Sequence, residues 1–187
     1  MKFSGHLYGG ILTGTVATTV GLICLPQKEI FSSIAVLTDL SVFLRSPLPG
    51  LAAIFLIGVF MSLFPDLDIC SIPQKWFYRI VLSVLVWLWI INEPLLFAAL
   101  SFISLLPLIH RHRGWTHRKW TPWVISFFGI LFYLWFSGEG NVNFEQYYHR
   151  PDEFINDFGV YIFACVLGHY THLFLDIKIN SVRNKAR

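Results

Sequence analysis

Long runs of apolar residues, separated by short polar stretches, dominate this chain. Six apolar segments stand out, and they cover residues 7–25, 49–64, 77–91, 94–109, 121–137 and 155–175. A helix needs about 20 predominantly apolar residues to cross a bilayer, and several of these segments approach that length. The pattern therefore predicts an all-α, polytopic integral membrane bundle of about six transmembrane segments, built as a single domain over residues 1–187.

Two stretches depart from a simple spanning pattern. Residues 30–44 are apolar but short, and they contain Asp39, so we interpret them as a re-entrant or interfacial helix. The segments 77–91 and 94–109 are separated by residues 92–94 (Asn-Glu-Pro), a sequence that ends one helix and starts another. Because the two segments together are too long for one span, we expect a helical hairpin that turns at this point.

The composition agrees with a membrane location. Hydrophobic residues make up 55% of the chain and charged residues only 13%, about half the ~25% that soluble domains carry. A soluble protein of this size could not bury so much apolar surface. The net charge of +3 is modest, so we predict no nucleic-acid partner. The lipid bilayer is the expected partner, and the sequence is compatible with an oligomer.

The distribution of basic residues predicts an orientation. If the N-terminus is cytoplasmic and the segments alternate, 11 of the 14 Lys and Arg residues lie inside and 3 lie outside. Eight of the 11 acidic residues then lie outside. Because cytoplasmic loops are enriched in Lys and Arg, we expect a multi-pass protein of the inner (cytoplasmic) membrane with both termini in the cytoplasm.

The remaining unusual polar residues form four groups, each at the cytoplasmic end of a predicted helix. The groups are His6; Asp66 and Asp68; His110, His112 and His117; and His169, His172 and Asp176. In the last group, the i, i+3 and i+7 spacing places all three side chains on one helix face. Ionisable groups in an apolar helix cost a few kcal/mol unless they have partners. We therefore predict a shared polar site, the alternative being a polar network that only holds helices together.

The donor types in these groups indicate a class of metal. Imidazole and carboxylate ligands without thiolate suit zinc, manganese or iron. The candidate ligands outnumber the four that one zinc ion takes, so we predict two or more divalent ions, with zinc preferred. Such ions activate water as a nucleophile, and Arg113, Arg118 and Lys119 could hold an anionic group such as phosphate. Our candidate catalytic residues are Asp68, His117 and Arg113.

Short motifs in this chain resemble those of a known membrane family. The motifs are Gly5-His6, residues 63–71 (LFPDLDICS), 112–117 (HRGWTH) and 168–176 (GHYTHLFLD). In order and character they resemble the YdjM-type family of inner-membrane, metal-dependent hydrolases, named in part for LexA-regulated members. The resemblance covers nearly the whole chain and implies a metal-ligating role for His6, Asp66, Asp68, His112, His117, His172 and Asp176. His110 and His169 lie outside the matched positions and are additional candidate ligands.

The family in turn resembles the zinc-dependent phospholipase C and single-strand nuclease group, whose clustered zinc ions act on phosphoesters. The resemblance therefore implies an enzyme that hydrolyses a phosphoester, such as a lipid head group or a lipid-linked phosphate.

Two departures from the family pattern favour the first of two alternatives to an enzyme. Arg118 stands where the family usually has Ser, and the residues after Asp176 lack the family's Thr and Gly-containing extension. One alternative is a non-enzymatic membrane sensor or scaffold with a structural metal site. Another is a metal or ion transporter, although transporters keep their sites near the bilayer midplane rather than at one face.

Overall fold

Helices make up nearly all of the part of the chain that the computed structural model describes. The described residues are 3–24, 48–68, 71–108, 114–137 and 149–185, together with residue 147. Within these ranges no strand occurs, which confirms the all-α prediction for them. The interfacial helix predicted over residues 30–44 lies outside the described residues.

Six α-helices occur in the described ranges. They are α1 (Phe3–Cys24), α2 (Leu48–Leu63), α3 (Ile72–Ile90), α4 (Pro94–Leu105), α5 (Thr121–Ser137) and α6 (Pro151–Lys185). Short 3-10 turns follow α2, follow α4 and precede α5, at Phe64–Asp68, Leu106–Leu108 and Trp115–His117. The first and third of these turns carry residues of the predicted site.

Three helices are long and apolar enough to cross a membrane, and they cover Phe3–Cys24, Leu48–Asp68 and Pro151–Ile177. The 22 residues of α1 extend about 33 Å, which matches a hydrocarbon core of about 30 Å. Two further apolar helices, Pro94–Leu105 and Thr121–Leu134, are shorter. The described part of the chain is therefore all-helical and membrane-associated, with three helices of spanning length. The predicted count of about six spans is not confirmed.

The helices α3 and α4 form a hairpin, as predicted. Residues 91–93 separate the two helices, and Asn92 has a φ of 57°, a left-handed conformation that asparagine adopts more readily than most residues. The Tyr78 hydroxyl donates a hydrogen bond to the Ser104 carbonyl at 2.8 Å. This bond joins the beginning of α3 to the end of α4, so the two helices run antiparallel.

The helices α1, α2 and α6 pack closely at the centre of the fold. Ile54 and Ala164 are fully buried between them. A Cβ added at Gly58 would lie 2.9 Å from the Gly14 Cα atom, and one added at Gly168 would overlap the Gly58 carbonyl oxygen. Small residues at such positions allow helix backbones to approach closely in a membrane. This packing sets the beginning of α1 beside the end of α2 and the later part of α6.

Replacing Gly168 with alanine is expected to destabilise the protein by about 1–3 kcal/mol. The added methyl group would overlap a backbone carbonyl, which cannot rotate away as a side chain can. Gly129→Ala is the matched control, because nothing lies within 4 Å of a Cβ added at that position. Thermal unfolding of both variants in detergent measures the difference. Equal midpoints for the two variants would contradict the close packing of α2 and α6.

Candidate metal centre

Histidine and aspartate side chains gather at one end of the α1–α2–α6 core. His6 lies near the beginning of α1, and Asp66 and Asp68 lie in the 3-10 turn that follows α2. His172 and Asp176 lie one turn apart in the later part of α6. Because α1 runs antiparallel to α2 and α6, its beginning meets the ends of the other two apolar segments. The predicted convergence is thus present among the described residues.

His172 occupies the centre of this cluster, and its side chain is fully buried. Its Nδ1 atom lies 2.8 Å from the Ser62 carbonyl oxygen. Because a carbonyl only accepts hydrogen bonds, Nδ1 carries the proton and Nε2 keeps its lone pair. The Nε2 atom has no hydrogen-bond partner, and it lies 3.7 Å from both Asp66 Oδ1 and Asp176 Oδ2. A buried lone pair that faces two carboxylates is an arrangement that a cation would stabilise.

The His6 ring stacks on the His172 ring. The ring centroids are 3.9 Å apart and the rings are tilted by 16°. The His6 Nε2 atom lies 3.3 Å from Asp176 Oδ1. The Ser62 hydroxyl donates a hydrogen bond to the His6 backbone carbonyl at 2.7 Å, so Ser62 holds both histidines, one through its hydroxyl and the other through its carbonyl. Asp176 consequently has one carboxylate oxygen beside each imidazole ring.

The 3-10 turn before α5 brings a third histidine to the cluster. The His117 ring lies 5.5 Å from the His172 ring, centroid to centroid, and nearly perpendicular to it. The neighbouring Thr116 hydroxyl donates a hydrogen bond to Asp68 Oδ2 at 2.9 Å. It also lies 3.3 Å from His117 Nδ1. The Asp68 side chain is only 1% exposed, and its Oδ1 atom has no hydrogen-bond partner.

Two overlapping groups of side chains in the described part of the chain could hold a metal ion. One consists of His6, His172 and Asp176, and the other of Asp66, His117 and His172. Within each group, the ligand atoms lie within 4.8 Å of one another. Two ligands of a tetrahedral zinc ion lie about 3.4 Å apart. The distances from Asp176 Oδ1 to His6 Nε2 (3.3 Å) and from Asp176 Oδ2 to His172 Nε2 (3.7 Å) are each close to this value. Asp68 belongs to neither group.

Of the four remaining candidates, the structure describes one, His169. His110, His112 and Arg113 lie outside the described residues. His169 is buried, but its Nε2 atom lies 3.1 Å from the Arg118 carbonyl oxygen, to which it donates a hydrogen bond. This hydrogen bond turns the His169 ring towards the Arg118 backbone, and His169 belongs to neither ligand group. The geometry therefore does not support His169 as an additional ligand.

Ser62 and Thr116 were not predicted from the sequence. Ser62 contacts His172 through its backbone carbonyl, and every residue has such a group, so no sequence signal could have revealed that contact. Thr116 lies inside the HRGWTH motif, beside His117. A hydroxyl group so near a candidate ligand can accept a hydrogen bond from its ring, so the position of Thr116 did carry a usable signal.

Comparisons with family models, with curated proteins and with solved structures found no match to this chain. The fold and the site nevertheless define a class. Over its described residues, the chain is an all-helical protein with three helices of membrane-spanning length and a cluster of His and Asp side chains that could hold a metal ion.

Proposed function

We propose that this protein is a membrane-embedded, metal-dependent hydrolase of phosphoesters. The observation that carries the proposal is the environment of His172. One ring nitrogen is fixed by the Ser62 carbonyl, and the other is buried, has no hydrogen-bond partner and faces Asp66 and Asp176. A network that only joined helices would give this nitrogen a hydrogen-bond donor. The imidazole and carboxylate ligands favour zinc, followed by manganese and iron.

We propose two ions with Asp176 between them, one near each ligand group. His172 has one nitrogen with a free lone pair, so it serves a single ion although it belongs to both ligand groups. The first ion would take the group of Asp66, His117 and His172, with Asp176 Oδ2, which lies 3.7 Å from His172 Nε2, as a further donor. The second would take His6 and Oδ1 of Asp176, the oxygen that lies 3.3 Å from His6. The second ion would keep open positions, which is the arrangement typical of catalytic sites.

The exposure of the side chains indicates where a substrate approaches. The His6 and His172 side chains are at most 2% exposed, whereas those of Asp66 and Asp176 are 18% and 25% exposed. The open side of the site is therefore the carboxylate side. When bound, the ions supply Lewis-acid activation of water for attack on phosphorus. The exposed residues Arg118 and Lys119 directly follow His117 and are suited to bind a phosphate oxygen.

We propose a substrate at the membrane surface, such as a lipid head group or a lipid-linked phosphate. Trp123 donates a hydrogen bond from its indole nitrogen to the Tyr170 hydroxyl at 3.3 Å, and Tyr170 donates to the Lys119 carbonyl at 3.1 Å. Exposed Trp and Tyr side chains favour the head-group level of a bilayer. This contact places the basic residues beside an aromatic group suited to that level. The motif resemblance to the YdjM-type family supports the same substrate class.

The same hypothesis places the site on the cytoplasmic side of the inner membrane, with both termini inside, on the basis of the 11-to-3 distribution of basic residues. A single cysteine at position 147 should then react with an impermeant reagent from the outside of the membrane. Reaction only after permeabilisation would contradict this orientation.

A phosphoesterase assay of the zinc-loaded protein tests the proposed activity. The substrates would be p-nitrophenyl phosphorylcholine and vesicles that contain phosphatidic acid and phosphatidylcholine. We expect turnover that a chelator abolishes and added zinc restores. Full zinc occupancy without turnover would instead support the sensor or scaffold alternative. Zinc transport into sealed vesicles would support the transporter alternative.

A further inference from the structure

We infer that Asp68 and Thr116 position His117 and that Asp68 is not itself a metal ligand. Thr116 links the buried carboxylate to the imidazole and thereby selects the ring nitrogen that is presented to the ion. This inference rests on the proposed function, because it assigns roles within the same site. It also changes the role of Asp68 from the catalytic residue and ligand predicted from the sequence to a positioning residue.

The distances define the order of the hydrogen bonds. The Thr116 hydroxyl is 2.9 Å from Asp68 Oδ2 and 3.3 Å from His117 Nδ1. Asp68 Oδ2 and His117 Nδ1 are 3.9 Å apart, which is too far for a direct hydrogen bond. Because an ionised carboxylate only accepts, the hydroxyl donates to Asp68 and accepts from the Nδ1 proton of His117. The Nε2 atom of His117 is then the nitrogen that keeps a lone pair.

Burial makes this link effective. Thr116 and the Asp68 side chain are each 1% exposed, so water does not compete for the same hydrogen bonds. His172 shows the same arrangement with a different acceptor, because its Nδ1 proton is held by the Ser62 carbonyl. The two histidines of the Asp66, His117 and His172 group thus each have Nδ1 directed to an oxygen acceptor. Metal-ligating histidines characteristically have such a partner on the nitrogen that does not bind the metal.

Thr116→Val removes the hydroxyl and nearly conserves the side-chain volume. We expect the dissociation constant for Co²⁺ or Zn²⁺ of the purified full-length protein to rise by about 10–100-fold, the usual effect of losing such a partner. Thr116→Ser restores the hydroxyl and should return the affinity close to that of the wild type. The absorption spectrum of bound Co²⁺ should change with Thr116→Val and recover with Thr116→Ser, because it depends on the orientation of the ligands.

Thr121→Val is the matched control. Thr121 is also fully buried, and its hydroxyl donates to the Trp115 carbonyl in the same segment rather than to Asp68. We expect this variant to be less stable but to bind metal with the affinity of the wild type. Equal weakening by Thr116→Val and Thr121→Val would show that only the fold of the segment matters, and would overturn the inference.

Asp68→Asn separates the positioning role from a ligand role. We expect it to weaken Co²⁺ binding by about 10–100-fold, less than Asp66→Asn, which removes a proposed ligand. Equal loss in the two variants would show that Asp68 is a ligand and would overturn the inference. If the wild type binds Co²⁺ and Thr116→Val binds it with the same affinity, this inference is overturned while the proposed function stands. Failure of the wild-type protein to bind Co²⁺ or Zn²⁺ would overturn the proposed function along with it.

Discussion

Replacing His172 with asparagine is expected to abolish metal binding while leaving the helices in place. The asparagine amide nitrogen can still donate to the Ser62 carbonyl, but nothing replaces Nε2 between Asp66 and Asp176. Zinc binding of about 10–16 kcal/mol, shared among about four ligands, assigns roughly 2.5–4 kcal/mol to each. The dissociation constant should therefore rise by about 60- to 700-fold, and hydrolytic activity should be lost with it.

Metal content after dialysis against a zinc buffer measures this effect, and circular dichroism reports whether the helices persist. His149→Ala is the control, because His149 is an exposed histidine that precedes α6 and lies more than 20 positions before His172 in the chain. This variant should retain the zinc content of the wild type. A His172→Asn protein that is folded and fully loaded with zinc would contradict the assignment of His172 as a ligand.

Removal of metal is expected to destabilise the wild-type protein but not the double variant Asp66→Asn/Asp176→Asn. In the wild type, the carboxylates of Asp66 and Asp176 both lie beside the buried His172 ring, where they are only partly hydrated. Without a cation, their mutual repulsion is not compensated. A ligand present at about 1,000 times its dissociation constant stabilises the folded state by about 4 kcal/mol. For a chain of this size, that corresponds to a shift of about 8–16 °C in the unfolding midpoint.

Thermal unfolding in detergent, with zinc and with a chelator, tests this second prediction. The double variant should unfold at the same temperature under both conditions, because it lacks the charges that attract the ion. Asp152→Asn is the control, since Asp152 is exposed in the first turn of α6, and it should respond to the chelator as the wild type does. Identical midpoints of the wild type with zinc and with chelator would contradict a metal centre in this cluster.

The apolar pattern predicted the helices and the hairpin, because each depends on local signals such as the break at residues 92–94. It did not predict how far each helix extends. The segment 94–109 was expected to be continuous, but α4 has only 12 residues and extends about 18 Å. Pro107 lies in the 3-10 turn that follows, and proline lacks the amide proton that an α-helix requires. A helix of this length is shorter than a transmembrane span, so α4 is not among the three helices of spanning length.

The sequence predicted which groups converge in the site, but it did not assign their roles. The pair His172 and Asp176 could be predicted, because residues one helical turn apart lie on one face. His169 was assigned to the same face, yet its ring contacts the Arg118 carbonyl, since neighbours across a helix interface are set by packing. The contact between Asp68 and Thr116 joins the two 3-10 turns Phe64–Asp68 and Trp115–His117. The sequence pattern does not predict how two such turns pack against each other.

Diffraction from zinc-loaded crystals at the zinc absorption edge tests the central claim most directly. We predict an anomalous peak about 2.0–2.1 Å from His172 Nε2, with oxygen atoms of Asp66 and Asp176 among the ligands. A second peak is predicted on the His6 side of Asp176. Zinc-loaded crystals that show no anomalous peak at this cluster would contradict the account.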